Sequence, residues 1–249
     1  ESFMADYKFP TEVVDLPSMG HFYVEGHPLS KGKVEIKYMT AREEDILTSQ
    51  NLIQQGTVID VLLQSLIVDK KIKIDDMLIG DKNAIMVSAR ILGYGKEYQF
   101  TYDGEEQTTD LSKLDSKKMD FSKFAKGMNE FSFELPNSKR TITFKLLSSK
   151  DEKSIASEIK ARQRISKERS SELTTRLKHM ILSVDGKSEK SHINNFVDNE
   201  FLSRDSLAFR QYLSSITPDV DMTTKVVDST GKESEVTIPV TLRFFWPST

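Results

Sequence analysis

Three carboxylates stand together at Glu43-Glu44-Asp45. Neighbouring carboxylates can divide acid and base roles, so this is the first place to look for hydrolytic chemistry. Their setting supplies a simpler account. Thr40, three residues ahead of Glu43, completes a capping box, and acidic side chains in a first helical turn face the positive end of the helix dipole. The four histidines, His21, His27, His179 and His192, include no i, i+4 pair on a predicted helix, the spacing a helical metal site requires. Asp75-Asp76 and Asp219-Val220-Asp221 do not continue with the ligand spacing of an EF-hand and read as turn and cap residues. The chain has no cysteine, which removes thiol nucleophiles, disulfides, iron–sulfur clusters and cysteine-ligated zinc. It has no G-x-S-x-G and no P-loop. Gly93-Tyr94-Gly95 follows a predicted helix rather than a strand, the wrong context for dinucleotide binding.

Two features point instead to recognition. Residues 150–180 carry nine basic and five acidic side chains, which makes a basic helix over 150–178 a candidate phosphate-binding face. It holds no aromatic residue, so base stacking is not available to it. The chain ends in Phe244-Phe245-Trp246-Pro247. Side chains alternate along a strand, so three successive aromatics at a strand end cannot all face one core. At least one is expected to point outward as an interface anchor.

The elements that must position these residues follow from length and patterning. The chain has 249 residues, 37% of them hydrophobic and 29% charged, with a net charge of −3. That is enough for a sizeable core in one or two domains, and it disfavours nucleic-acid binding by bulk charge. No apolar run reaches the roughly 20 residues of a membrane helix. Residues 1–33, punctuated by Pro and Gly, read as an irregular lead-in. Val34 to Tyr38 alternates as a strand. Helices are predicted after Thr40, over 57–68 and over 84–92. A hairpin turns at Asp103-Gly104. A second joins 131–135 to 141–147, and one long helix, or two in line, occupies 150–182. Helices near 189–202 and 204–215 precede a last hairpin running to Phe245.

Three segments together resemble a known family. They are Tyr38-Met39-Thr40-Ala41-Arg42-Glu43-Glu44-Asp45-Ile46-Leu47, then Gly80-Asp81 through Ala89-Arg90-Ile91 to Tyr94-Gly95 and Tyr98, and the closing Phe244-Phe245-Trp246-Pro247. With the Pro10 to Pro17 lead-in, they are similar to the baseplate hub assembly proteins of T-even-type contractile-tailed bacteriophages, in the same order over nearly the whole chain. The resemblance implies a non-enzymatic role in building the baseplate hub, with no cofactor. The partners it implies are other hub subunits and the tape-measure protein, and self-association into a homo-oligomer is left open. It also implies assembly in the host cytoplasm and a place in the virion tail baseplate. Some relatives in the family carry cysteine pairs at two hairpins, as in zinc ribbons. Here the corresponding turns are Tyr102-Asp103-Gly104-Glu105 and Asp228-Ser229-Thr230-Gly231, without sulfur, so zinc is not carried over.

The expected fold is α+β, with a helical unit and β-hairpins over 1–148 and a second helical unit with a terminal hairpin over 149–249. Phe244, Phe245, Trp246 and Pro247 are the expected partner-binding residues. Thr40, Arg42, Glu43, Glu44, Asp45, Arg90, Tyr94 and Gly95 are the expected structural motif. A nucleic-acid module built on the 150–178 helix is the rival. Trp246→Ala is expected to weaken baseplate assembly more than it lowers the unfolding midpoint of the isolated chain. Equal losses in both measurements would make Trp246 a core residue.

Overall fold

The computed structural model describes residues 10–167 and 170–245. It is α+β, as the patterning predicts: eight α-helices and four small antiparallel sheets among the described residues. The lead-in is more ordered than expected. Thr11–Asp15 (β1) pairs antiparallel with Lys33–Lys37 (β2). Only Val14 of β1 is buried, so the strand has no apolar alternation by which to announce itself. The helical block after Thr40 divides into Ala41–Leu47 (α1) and Gln50–Gln55 (α2), and Val58–Leu66 (α3) follows.

Ile79–Tyr94 (α4) is the centre of the molecule, and it is longer than the predicted 84–92. Its Gly80, Asp81, Ala84, Ile85, Met86, Val87, Ala89 and Arg90 are all buried, so it is covered on several faces at once. Glu97–Tyr102 (β3) and Glu105–Asp110 (β4) form the hairpin at Asp103-Gly104. Both turn residues have positive φ, 49° and 74°, as a two-residue hairpin turn demands.

Phe131–Glu134 (β5) and Thr141–Phe144 (β6) form the second hairpin, and a third strand extends it. The basic stretch is not one helix. It divides into Ser149–Ile165 (α5) and Glu172–Met180 (α6), and Ile181–Val184 (β7) then pairs with β6. The two helices fold against each other rather than run in line. Arg176 pairs with Glu152, and His179 with Glu158 at 2.6 Å. Lys190–Asn195 (α7) runs into a π-helical turn over Phe196–Glu200, and Ser203–Ile216 (α8) follows, capped by Leu202. Thr223–Val227 (β8) and Glu233–Thr237 (β9) form the last hairpin. The chain then leaves the sheet, and Leu242–Phe245 is a 3-10 turn rather than a strand end.

One continuous hydrophobic core runs from Val14 and Phe22 through α3 and α4 to Phe144, Phe209 and Phe245. The sheet β5-β6-β7 and the bond from Ser149 N–H to the Met77 carbonyl (2.8 Å) join the two predicted units across residue 148.

The tightest approach is at Gly80. A Cβ there would lie 1.8 Å from the Pro218 carbonyl oxygen, which is backbone and cannot swing aside. Gly80→Ala is therefore expected to destabilise the chain by about 2–4 kcal/mol, through overpacking rather than backbone strain. Chemical denaturation checks it, and an unchanged midpoint would mean that α4 and the 217–219 segment are not packed this closely.

Candidate functional site

Polar groups converge at the two ends of α4. At its start, Asp81 is fully buried and sits in the first helical turn. Its carboxylate accepts hydrogen bonds from Ser18 N–H (2.9 Å), Ser18 Oγ (2.6 Å) and Tyr23 OH (2.6 Å). The Tyr23 oxygen in turn accepts from Leu78 N–H at 2.9 Å. Burial pushes the Asp81 pKa up, while the three donors pull against it. Tyr23 is pushed up as well, by burial first and then by Asp81. A buried acid beside a tyrosine looks like catalytic apparatus. Here every polar atom of the cluster serves to tie residues 18–23 to α4, and no substrate-sized opening is lined by Asp81 among the described cavities.

At the other end, Arg90 is buried and donates to three carbonyls. These are Phe244 from Nε (2.8 Å), Gly95 from Nη1 (2.7 Å) and Glu97 from Nη2 (3.2 Å). The guanidinium also lies near the rings of Tyr94 and Tyr98, at 5.7 and 5.9 Å. Burial lowers its pKa, and the two tyrosines oppose that shift. Gly95 closes the helix at φ 89°, a conformation that favours glycine. Tyr98 packs on Phe244 with ring centroids 5.3 Å apart. Thus Arg90, Tyr94 and Gly95 of the predicted motif meet the closing aromatics in one place.

This meeting corrects the reading of the terminus. Phe244 and Phe245 are fully buried within the chain itself. The alternation argument fails for them because a 3-10 turn, unlike a strand, directs successive side chains around an axis. As placed here, they are core residues rather than exposed anchors. Trp246 and Pro247 lie outside the described residues.

The Thr40–Asp45 segment is the third part of the motif. Thr40 donates to Glu43 Oε2 from its backbone N–H (2.7 Å) and its hydroxyl (2.6 Å). Glu43 is buried, 3.3 Å from Lys37. Burial alone would raise its pKa. The Thr40 donors and Lys37 outweigh burial and hold it below the usual carboxylate range. Arg42, Glu44 and Asp45 are exposed. Glu44 accepts from Tyr94 OH at 3.2 Å, which links this segment to the end of α4.

The remaining candidates are dispersed. His21 Nε2 lies 2.8 Å from the Phe124 carbonyl, His27 faces Asp76 at 3.5 Å, and His179 pairs with Glu158. Much of the basic face of α5 and α6 is neutralised. Lys153 pairs with Asp60 and Asp75, Arg162 with Glu158, Arg176 with Glu152, and Lys178 with Asp198. The β3-β4 and β8-β9 hairpins lie side by side. Gln107 bridges them, donating to the Val227 carbonyl (2.7 Å) and accepting from Val227 N–H (3.2 Å). Thr109 meets Thr224 at 2.8 Å, and Ser229 donates to Asp103 at 3.3 Å. Their turn residues do not fit a zinc ribbon, since they offer hydroxyls and carboxylates and no thiolate.

The sequence reading missed Asp81, Ser18, Tyr23 and Gln107. Asp81 was legible only as a first-turn acid, and its partners lie about 60 residues upstream.

At both ends of α4, polar side chains hold backbone segments together. A family model described as "T4 bacteriophage base plate protein" matches residues 12–246. The chain belongs to that family, and its role is structural or in assembly of the phage baseplate. No curated protein and no solved structure matches it. Among the described residues, no helix is long and apolar enough to cross a membrane.

Arg90→Lys keeps the charge but loses the planar fork that reaches three carbonyls. We expect it to destabilise the chain by about 1–3 kcal/mol, because a lysine cannot bond the buried Phe244 carbonyl and the Gly95 and Glu97 carbonyls together. The loss should appear with weakened near-ultraviolet signal from Tyr94, Tyr98 and Phe244. Wild-type unfolding in the lysine variant would remove Arg90 from its assigned role.

Proposed function

We propose that this protein is a baseplate hub component or hub assembly factor that works by protein–protein contact and catalyses no reaction. Its partners are other hub subunits and the tape-measure protein, met in the host cytoplasm while the tail is assembled. The hub assignment rests on the three segments that resemble hub assembly proteins. One observation carries the non-enzymatic reading. Thr40, Glu43 and Arg90 of those segments are occupied in holding the chain's own shape, with Arg90 joining the end of α4, β3 and the terminal turn through Phe244, Gly95 and Glu97. A chain organised this way offers a fixed surface to its neighbours.

Affinity purification of the tagged full-length chain from infected cells tests the reading, with bound proteins identified by mass spectrometry. Hub subunits and the tape-measure protein are the expected partners. Recovery of peripheral baseplate proteins alone would move the chain out of the hub, and recovery of no tail protein would overturn the assembly role.

A further inference from the structure

An open cleft of about 940 Å³ lies between α2, α3 and the 69–76 segment on one side and the start of α5 on the other. Its carboxylates are already answered. Asp60 is held by Lys82 and by Lys153 at 3.2 Å. Asp75 pairs with Lys153 at 2.5 Å, and Asp76 faces His27 at 3.5 Å. The lysines are in excess. Lys70, Lys73 and Lys150 line the same cleft and are exposed. Among the described residues, none of the three pairs with a carboxylate. Lys70 donates only to the Gln64 and Ser65 carbonyls at the end of α3, at 3.1 and 3.3 Å. Burial first, then Lys37 and Lys73, depress its pKa, which marks a site where positive charges crowd one another.

Between the lysines the lining is aliphatic. Leu52 is half-buried, Val61 is 37% exposed, and Ile74 forms part of the floor. No aromatic side chain lines the cleft, so stacked bases have no platform there. A surplus of positive charge around aliphatic surface complements a segment carrying carboxylates and aliphatic side chains together.

We propose that this cleft docks an acidic, aliphatic segment of another baseplate subunit. Carboxylates of that segment meet Lys70, Lys73 and Lys150, and its aliphatic side chains rest on Leu52 and Val61. The inference rests on the baseplate reading above and specifies the chemistry of one partner.

Carbodiimide cross-linking tests it, because the reagent joins an amine only to a carboxylate already in contact. The full-length chain is cross-linked in assembly complexes from infected cells, and the joined peptides are identified. Lys70, Lys73 or Lys150 is expected to join Asp or Glu of an aliphatic segment in another baseplate subunit. In Lys70→Glu/Lys73→Glu/Lys150→Glu those links should vanish. Recovery of that subunit should fall by about tenfold or more, the loss expected from three rim charge pairs. The unfolding midpoint should stay near that of the wild type. Val61→Asp, which leaves the lysines intact, should lower the same recovery.

Cross-links confined to this chain's own carboxylates, or formed only between two copies of it, would overturn the proposal. So would undiminished recovery of the partner by the triple variant. If the wild-type chain is found with baseplate proteins and these lysines stay unlinked, the cleft inference alone falls. If the wild-type chain joins no baseplate protein, the functional reading falls and takes the inference with it.

Discussion

Helix α4 carries a buried ionisable side chain at each end, and neither forms an ion pair among the described residues. A charge enclosed in protein must be met by dipoles if it is not met by an opposite charge. Asp81 therefore has to gather donors, and Arg90 has to gather carbonyls. The donors come from residues 18–23, near the start of the described chain, and one carbonyl comes from Phe244, near its end. Hydrogen bonds to charged groups are worth about 1.5–3 kcal/mol each, and a buried charge stripped of them costs more than that. The two ends of the chain are thus attached to one helix by groups that cannot be left unsatisfied. Gly80 brings the 217–219 segment against the same helix, where Asn83 also donates to Asp219 at 3.1 Å.

The same device recurs in smaller form. Five helices carry a carboxylate at their third position: Glu43 in α1, Asp60 in α3, Asp81 in α4, Asp151 in α5 and Asp205 in α8. In α1 and α5 the capping residue is Thr40 or Ser148, and the carboxylate closes a local capping box. In α4 and α8 the capping residue is Leu78 or Leu202, which has no polar side chain to offer. The carboxylate then reaches elsewhere. Asp81 takes Ser18 and Tyr23, and Asp205 takes the Asn137 and Ser138 N–H groups at 2.7 and 3.1 Å. In α3 the cap Thr57 makes no side-chain bond and Asp60 pairs with Lys82 and Lys153, so this one helix position closes a local cap in two helices and reaches a remote partner in three.

That distinction also explains what could be read in advance. The Thr40–Glu43 box, the Asp103-Gly104 turn and the alternation of β3, β5 and β6 depend on residues a few positions apart, and all of them form. The features that were missed depend on remote partners or on weak local pattern. Strand β1 buries one side chain of five, and β7 follows α6 without a turn between them, so its apolar residues continue a helical spacing. The division of α5 from α6 is fixed by ion pairs that form only once the two helices meet. Phe244 and Phe245 looked exposed because a strand was assumed beneath them. Arg90, Tyr94, Gly95 and Phe244, which belong to the segments that resemble hub proteins, lie together at the end of α4. The resemblance could not say that they touch one another.

The paired hairpins are held together without sulfur. The Gln107 amide supplies a donor and an acceptor to Val227, copying with a side chain the pair of bonds that a backbone would supply in a ladder. These contacts are largely exposed, so each contributes modestly, about 0.5–1.5 kcal/mol. Their geometry is more informative than their strength. A side-chain amide can satisfy both groups of Val227 only at one offset of β4 against β8, and Thr109 opposite Thr224 enforces the same offset. The hairpins are therefore set in register by direction rather than clamped by energy.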